Sequence, residues 1–221
     1  MPDFALEQEY AAGGLAIGLD EAGRGPWAGP VVAAAAWLDP AGIPAALLDR
    51  LNDSKLLTRE ARAALFEDLA EARAAGTAAF GIAQGSVAEI DEINILQASL
   101  LAMRRAAERL GEALGRLPDA ALVDGPHAPR LACPARAVVK GDGRSLSIAA
   151  ASILAKVTRD RLMRDLAARH PGYGWERNMG YGTAEHRRAL ARLGVTPEHR
   201  RSFRPVRERL SVSVIGTPRH S

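Results

Sequence analysis

Gly18-Leu19-Asp20-Glu21-Ala22-Gly23-Arg24-Gly25-Pro26-Trp27-Ala28-Gly29-Pro30 decides how this chain is read. It begins as a strand and ends as a loop. Ala16, Ile17 and Leu19 make the short apolar run of a buried strand, and the glycines and prolines from Gly23 onward stop regular structure. Asp20 and Glu21 therefore stand at the end of a buried strand, where like charges repel and each carboxylate loses solvent. A divalent cation relieves both effects, and Mg2+ typically takes one or two carboxylates, several waters and a substrate phosphate. Gly23 and Gly25, with no Cβ, let backbone amides lie directly against a ligand.

Working outward, Val31 to Leu38 is a second apolar run between Pro30 and Pro40, expected to pair antiparallel with the first. Asn52-Asp53-Ser54-Lys55 reads as a polar loop before a helix capped by Thr58 and stopped near Gly76. Thr77 to Ala83 reads as a third strand. Ser86 and Glu89 have capping-box spacing, and Ile93, Leu96, Leu100, Met103, Ala107, Leu110 and Leu114 form the inner stripe of the helix that follows. Ala120 to Val123 and Arg136 to Val139 are short strands leading into Asp124-Gly125 and Gly141-Asp142-Gly143. In open α/β sheets ligands bind at such strand ends, which would bring Asp124 and Asp142 to the same edge as Asp20. Four acids on one edge suit a two-metal site for phosphate displacement.

Ser147 to Ala168 reads as a long Ala-rich helix closed by Pro171 and Gly172, followed by Arg-rich helices over Thr183 to Leu193 and Pro197 to Leu210. Strands and helices first, then helices only, predict an α/β catalytic domain over residues 14–170 and a C-terminal helical extension over 171–221. Residues before Gly14 carry no usable pattern and are expected to be loosely held.

The 221 residues, 48% hydrophobic and 25% charged, suit one well-buried domain rather than a disordered chain. One cysteine, Cys133, leaves no intramolecular disulfide and no multi-cysteine zinc site. The acidic N-terminus lacks a signal peptide's basic and apolar regions, and no run reaches membrane-spanning length, so a soluble cytoplasmic protein is expected. The net charge of +3 is uneven: from Ala155 onward fifteen Lys/Arg face six Asp/Glu, while the first 154 residues hold fourteen against twenty. An acidic part suited to metal ions is joined to a basic part suited to a polyanion. There is no nucleotide-binding P-loop and no Gly-x-Ser-x-Gly elbow. Ser152 and Lys156, four apart on a helix, admit a nucleophile pair only formally; Lys156 is more simply a base reaching toward the acids or a phosphate. The five histidines show no zinc spacing and most are expected at the surface.

With these residues placed, the chain resembles the bacterial type 2 ribonucleases H, the ribonuclease HII family, from Leu15 to Val206. The resemblance is carried by the Gly18–Pro30 string, Asp53-Ser54-Lys55, Glu92 to Gln97, Val123-Asp124-Gly125, Val139 to Asp142, Ala151 to Arg161, Gly180-Tyr181-Gly182 and His199 to Pro205. It implies a ribonuclease H-like α/β fold, a central mixed sheet flanked by helices, with a C-terminal helical part that helps hold the duplex. It further implies that Asp20, Glu21, Asp124 and Asp142 are catalytic and hold two Mg2+ or Mn2+ ions; Asp20, at the end of the central strand, is the acid expected to bridge both. Gly23, Arg24 and Gly25 would sense the ribonucleotide at an RNA–DNA junction, where the 2′-OH distinguishes RNA from DNA. Tyr181 would stack on the adjacent sugar, and Lys55 and Lys156 would also contact substrate. Asp160 lies in a family block but, on a helix near Arg159 and Arg161, is expected to make a salt bridge outside the tetrad.

The implied activity is endonucleolytic hydrolysis of the RNA strand in RNA–DNA hybrids, and incision 5′ of single ribonucleotides in duplex DNA, leaving 3′-hydroxyl and 5′-phosphate ends. That activity fits ribonucleotide excision repair by a monomer; clamp or repair partners are not legible. One departure stands out. The family often reads His-Lys-Gly-Tyr-Pro-Thr where this chain has Asn178-Met179-Gly180-Tyr181-Gly182-Thr183, which loses a phosphate contact and frees the backbone. Two other classes remain at this stage: another two-metal nuclease or strand-transfer enzyme on the same fold, recognised by activity on all-DNA duplexes, and a non-catalytic hybrid-binding module, recognised by an Asp20→Asn protein that behaves unchanged.

Overall fold

The computed structural model of the chain describes residues 2–51 and 57–215. Helix α1 (Ala5–Ala11) precedes strands β1 (Ala16–Ala22) and β2 (Val31–Leu38), the short helix α2 (Ala45–Leu48), helix α3 (Arg59–Ala74) and strand β3 (Ala78–Gly85). Helix α4 (Val87–Leu114), strands β4 (Ala120–Asp124) and β5 (Ala135–Val138) and helix α5 (Leu146–Arg169) complete the α/β part. The short α6 (Trp175–Asn178), α7 (Ala184–Leu193) and α8 (Arg204–Ile215) follow.

The five strands form one mixed sheet in the order β3-β2-β1-β4-β5. β1 pairs antiparallel with β2 and parallel with β4, and β4 pairs parallel with β5. Successive strand residues point to opposite faces, and the sequence uses both. On β2, Val31, Ala33 and Ala35 pack with Ile17, Leu19 and Val123 against α4. Ala34, Ala36 and Leu38 pack the other way against α3 and α5. Both faces are covered, so the β2 run is apolar throughout, and its alanines let both helical layers approach.

The expected caps form. Thr58 Oγ1 accepts from Ala61 N, and Ser86 and Glu89 make both bonds of the capping box. Three expectations change. The α4 stripe does not run straight, because Asn94 leaves helical geometry (φ 67°, ψ 164°) and its Oδ1 accepts from Leu96 N and Gln97 N, restarting the helix. Beyond this break α4 buries Ala98, Ala102, Met103, Ala106 and Leu110, while Ile93, Leu96, Leu100 and Leu114 are only half-buried. No helix begins at Pro197: His199 bridges to Ala28, and Asp91 accepts from Arg201 N, Ser202 N and Ser202 Oγ, holding Arg201 and Ser202 in a turn so that α8 starts at Arg204. Finally, the segment before Gly14 is docked. Glu7 Oε1 accepts from Ser145 Oγ (2.6 Å), Ser147 N (3.0 Å) and Ser147 Oγ (2.7 Å), and Leu6 packs on Leu122, Val138 and Ile148. A buried carboxylate thus meets the amide end of α5, where negative charge is favoured. Among the described residues no helix is long and apolar enough to cross a membrane.

Candidate active site

Strand register brings the acids together. Leu19 pairs with Val123, so Asp20 and Asp124 are the next residues on adjacent parallel strands. Leu19 and Val123 face α4, so Asp20 and Asp124 face α5. α5 reaches them because β1 carries Gly18 two residues before Asp20: a Cβ there would lie 2.2 Å from Ile148 N and Ser147 C. With the helix seated on that gap, the Ser152 hydroxyl hydrogen-bonds Asp20. Gly141 N donates to Asp124 Oδ1 (2.7 Å), which sets the 3-10 turn Gly141–Gly143, and with it buried Asp142, beside the end of β4.

Asp20, Glu21 and Asp124 line a cleft of about 320 Å³; Asp142, buried on the turn bonded to Asp124, is not in its lining. Asp20 is 6% exposed, and burial, then Glu21, then Asp124 hold its carboxyl well above the usual range. Glu21 is also raised, mainly by burial, against the opposing pull of Arg24, whose Nη1 lies 3.1 Å from Glu21 Oε1. As the side chains stand, no three His, Cys, Asp or Glu among the described residues converge tightly enough to hold one ion. The donor set still fits a hard cation: the buried Asp20 and Glu21 carboxyls, both raised by burial and by the negative charge of Asp124, gain most from added positive charge. A larger groove of about 480 Å³ between α4 and residues 128–130 has no carboxylate in its lining, so its chemistry points elsewhere.

Gly23, Arg24 and Gly25 form one wall of the cleft, Lys156 and Arg62 line it, and Tyr181, 48% exposed, stands at the glycine loop. Gly23 has φ +99°, a conformation only glycine adopts readily. Two buried arginines with no site role in the sequence reading hold this loop. Arg159 donates to the carbonyls of Pro30 (3.1 Å), Met179 (3.0 Å) and Ala28 (3.2 Å). Arg200 donates to Gly29 O (2.9 Å), Arg24 O (2.9 Å) and Gly23 O (2.6 Å). Burial lowers their pKa values to about 10 and about 9, leaving both charged at neutral pH. Both fall inside sequence blocks already quoted, which was the available signal. Lys156 is turned to Asp160 at 2.7 Å rather than to the acids, so the salt bridge of Asp160 forms with Lys156 and not with Arg159, which bonds carbonyls, or Arg161, which pairs with Glu67. Lys55 lies outside the described residues.

The histidines differ from expectation: His186 and His199 are fully buried. Thr196 N donates to His199 Nδ1 (3.0 Å), which places the His199 proton on Nε2, 3.1 Å from His186 Nε2. His186 Nε2 also accepts from Trp175 Nε1 (3.1 Å), and its Nδ1–H donates to the Tyr181 carbonyl (3.0 Å). The two acceptor nitrogens, His199 Nδ1 and His186 Nε2, require both rings to be neutral.

A family profile for Ribonuclease HII matches residues 17–206. Ribonuclease HII of Paramagnetospirillum magneticum is 62% identical over 206 residues, 93% of this chain and 97% of the relative. That of Rhodospirillum rubrum is 57% identical over 216 residues, 97% of this chain and 94% of the relative. Among solved structures, ribonuclease H2 from Pyrococcus horikoshii OT3 superposes with a TM-score of 0.68 at 27% identity, covering 90% of this chain and 98% of that one. Bst-RNase HIII in complex with Mn2+ gives 0.73 at 22% identity, covering 90% and 70%. The mixed sheet with helices on both faces is thus the ribonuclease H-like fold, and the chain belongs to the ribonuclease HII family of ribonuclease H enzymes.

Proposed function

We propose that the chain is a metal-dependent endonuclease that hydrolyses the RNA strand of RNA–DNA hybrids and cuts 5′ of single ribonucleotides embedded in duplex DNA, leaving 3′-hydroxyl and 5′-phosphate ends. The observation that carries this reading is the convergence of Asp20, Glu21 and Asp124 in one cleft walled by Gly23–Gly25 and Tyr181. Asp20, Glu21, Asp124 and Asp142 would hold two Mg2+ or Mn2+ ions, which when bound lower the pKa of an attacking water and stabilise the leaving 3′ oxygen.

The chain's own groups supply the rest. Ser152 orients Asp20, and the Arg24 guanidinium holds Glu21, while Arg200 holds the Gly23 and Arg24 carbonyls from behind. Gly23 and Gly25 bring main-chain groups to the 2′-OH, which both donates and accepts hydrogen bonds, and Tyr181 stacks on the neighbouring sugar. Arginines after Ala155, many in the helical extension over 171–221, bind phosphates without reading bases. The enzyme acts as a monomer in the cytoplasm.

The test is product mapping on three end-labelled duplexes: a long hybrid, a DNA duplex with one ribonucleotide, and an all-DNA control, each with Mg2+, Mn2+ or chelator. Metal-dependent cuts in the first two, 5′ of the ribonucleotide in the second, support the reading. Cleavage of the all-DNA duplex, or none of any duplex with either metal, would sink it.

A further inference from the structure

We infer that Trp27 and Gly182 are a matched pair that fixes Tyr181 against the glycine loop, which makes Trp27 a positioning residue for junction cleavage. The inference rests on the reading of Tyr181 given above. Gly182 is not in the left-handed region of backbone space, so its conformation does not demand glycine. Space does. A Cβ at 182 would fall 2.1 Å from Cζ2, 2.2 Å from Cε2 and 2.7 Å from Cη2 of the Trp27 indole.

The indole has little room to withdraw. Trp27 N donates to Gly180 O (2.8 Å), and Trp27 O accepts from Arg200 N (2.8 Å), so its main chain is held on both sides. The ring lies 5.6 Å from the His186 ring, and the Arg187 guanidinium sits 5.6 Å from its centroid. Tyr181 is therefore bracketed: Gly180 is bonded to Trp27 before it, and Gly182 is packed on the Trp27 ring after it. A Cβ on Gly25 would lie 3.4 Å from Tyr181 Cε1, so the same tyrosine borders the glycine loop. A proline at 182, as in the related pattern, would put ring carbons where the indole stands. The glycine is then not a loosened version of that motif but the partner that Trp27 requires.

The experiment compares Gly182→Ala, Trp27→Leu, the Trp27→Leu/Gly182→Ala double variant and Tyr181→Ala, with thermal unfolding of each and kcat and KM on the single-ribonucleotide duplex. Gly182→Ala is expected to lose about tenfold or more in kcat/KM, since a displacement of roughly 1 Å at a positioning group can cost up to about a hundredfold. The double variant should return to within about threefold of Trp27→Leu, the non-additivity of residues in contact. If Gly182→Ala does not fold, a folded and active double variant supports the pairing equally. Losses that simply multiply in the double variant overturn it. Unchanged junction cleavage by Tyr181→Ala overturns the reading of Tyr181, and with it the claim that the pair acts on cleavage.

Discussion

The buried histidine pair should make the protein acid-sensitive in a way that can be assigned to one residue. Burial, with His186 and then His170 adding like charge, depresses the His199 pKa from 6.5 to about 3. Tyr173, Trp175 and His186 surround its ring, and among the described residues its hydrogen-bond partners are Thr196 and His186, not a carboxylate. The folded state therefore binds the His199 proton more weakly than the unfolded chain does. Stability from this residue is complete above about pH 6.5 and falls as pH drops toward about 3. Taking 6.5 for the unfolded chain, the loss is about 2 kcal/mol at about pH 5 and about 3 kcal/mol at about pH 4. Asp20 and Glu21, whose pKa values are raised, act with the opposite sign, so wild type must be compared with a variant in which they are unchanged. The assay is urea unfolding of wild type and His199→Asn from about pH 7.5 down to about pH 5. The variant starts less stable, and the gap should narrow by about 2 kcal/mol at the acid end. Parallel pH profiles for the two proteins would refute the reasoning.

Three further outcomes follow from individual contacts. Gly23→Ala should destabilise by about 3 kcal/mol or more in urea unfolding and impair junction cleavage, because its backbone is left-handed and the new Cβ would lie 1.9 Å from Arg159 Nε; unaltered stability would mean the loop is not held by Arg159. Glu7→Ala should lower unfolding stability by about 2–3 kcal/mol, since it leaves two serine hydroxyls and one amide at the start of α5 without their acceptor; no change would show that α1 does not hold α5. Binding of Asp142→Asn to a hybrid duplex should weaken roughly a thousandfold between about 50 and 200 mM salt if about six phosphates are neutralised, whereas a flat salt response would exclude phosphate contacts as the main grip.

What could be read from the sequence follows the range of the forces involved. β1, β2 and their antiparallel pairing were legible because apolar runs bounded by glycine and proline are local signals. The caps at Thr58 and Ser86 were legible because a side chain reaches only three residues ahead. The placement of Asp124 beside Asp20 was legible through the strand-end rule, though the register that aligns them belongs to tertiary structure. The misses mix local breaks with long-range contacts. Asn94 breaks α4 where the apolar spacing suggested continuity, Asp91 holds a turn 110 residues away from a predicted helix start, and Glu7 binds serines 138 and 140 residues distant. Arg159 and Arg200 belong to an Arg-rich half in which nothing local tells a cation on solvent from one buried under three carbonyls. Lys156 pairs with Asp160 because that carboxylate is one helical turn away, closer than the acids it was expected to approach.

The most direct test of the central claim is the single-turnover rate on a DNA duplex with one ribonucleotide, measured across Mn2+ concentrations for wild type, Asp20→Asn and Asp142→Asn, with Mn2+ binding followed by calorimetry. Wild type should bind the ion and cut 5′ of the ribonucleotide. Both variants should stay folded, bind Mn2+ more weakly and cut at least about a hundredfold more slowly, the scale expected when a metal-holding carboxylate is lost. Undiminished cleavage and Mn2+ binding in Asp20→Asn would contradict the account.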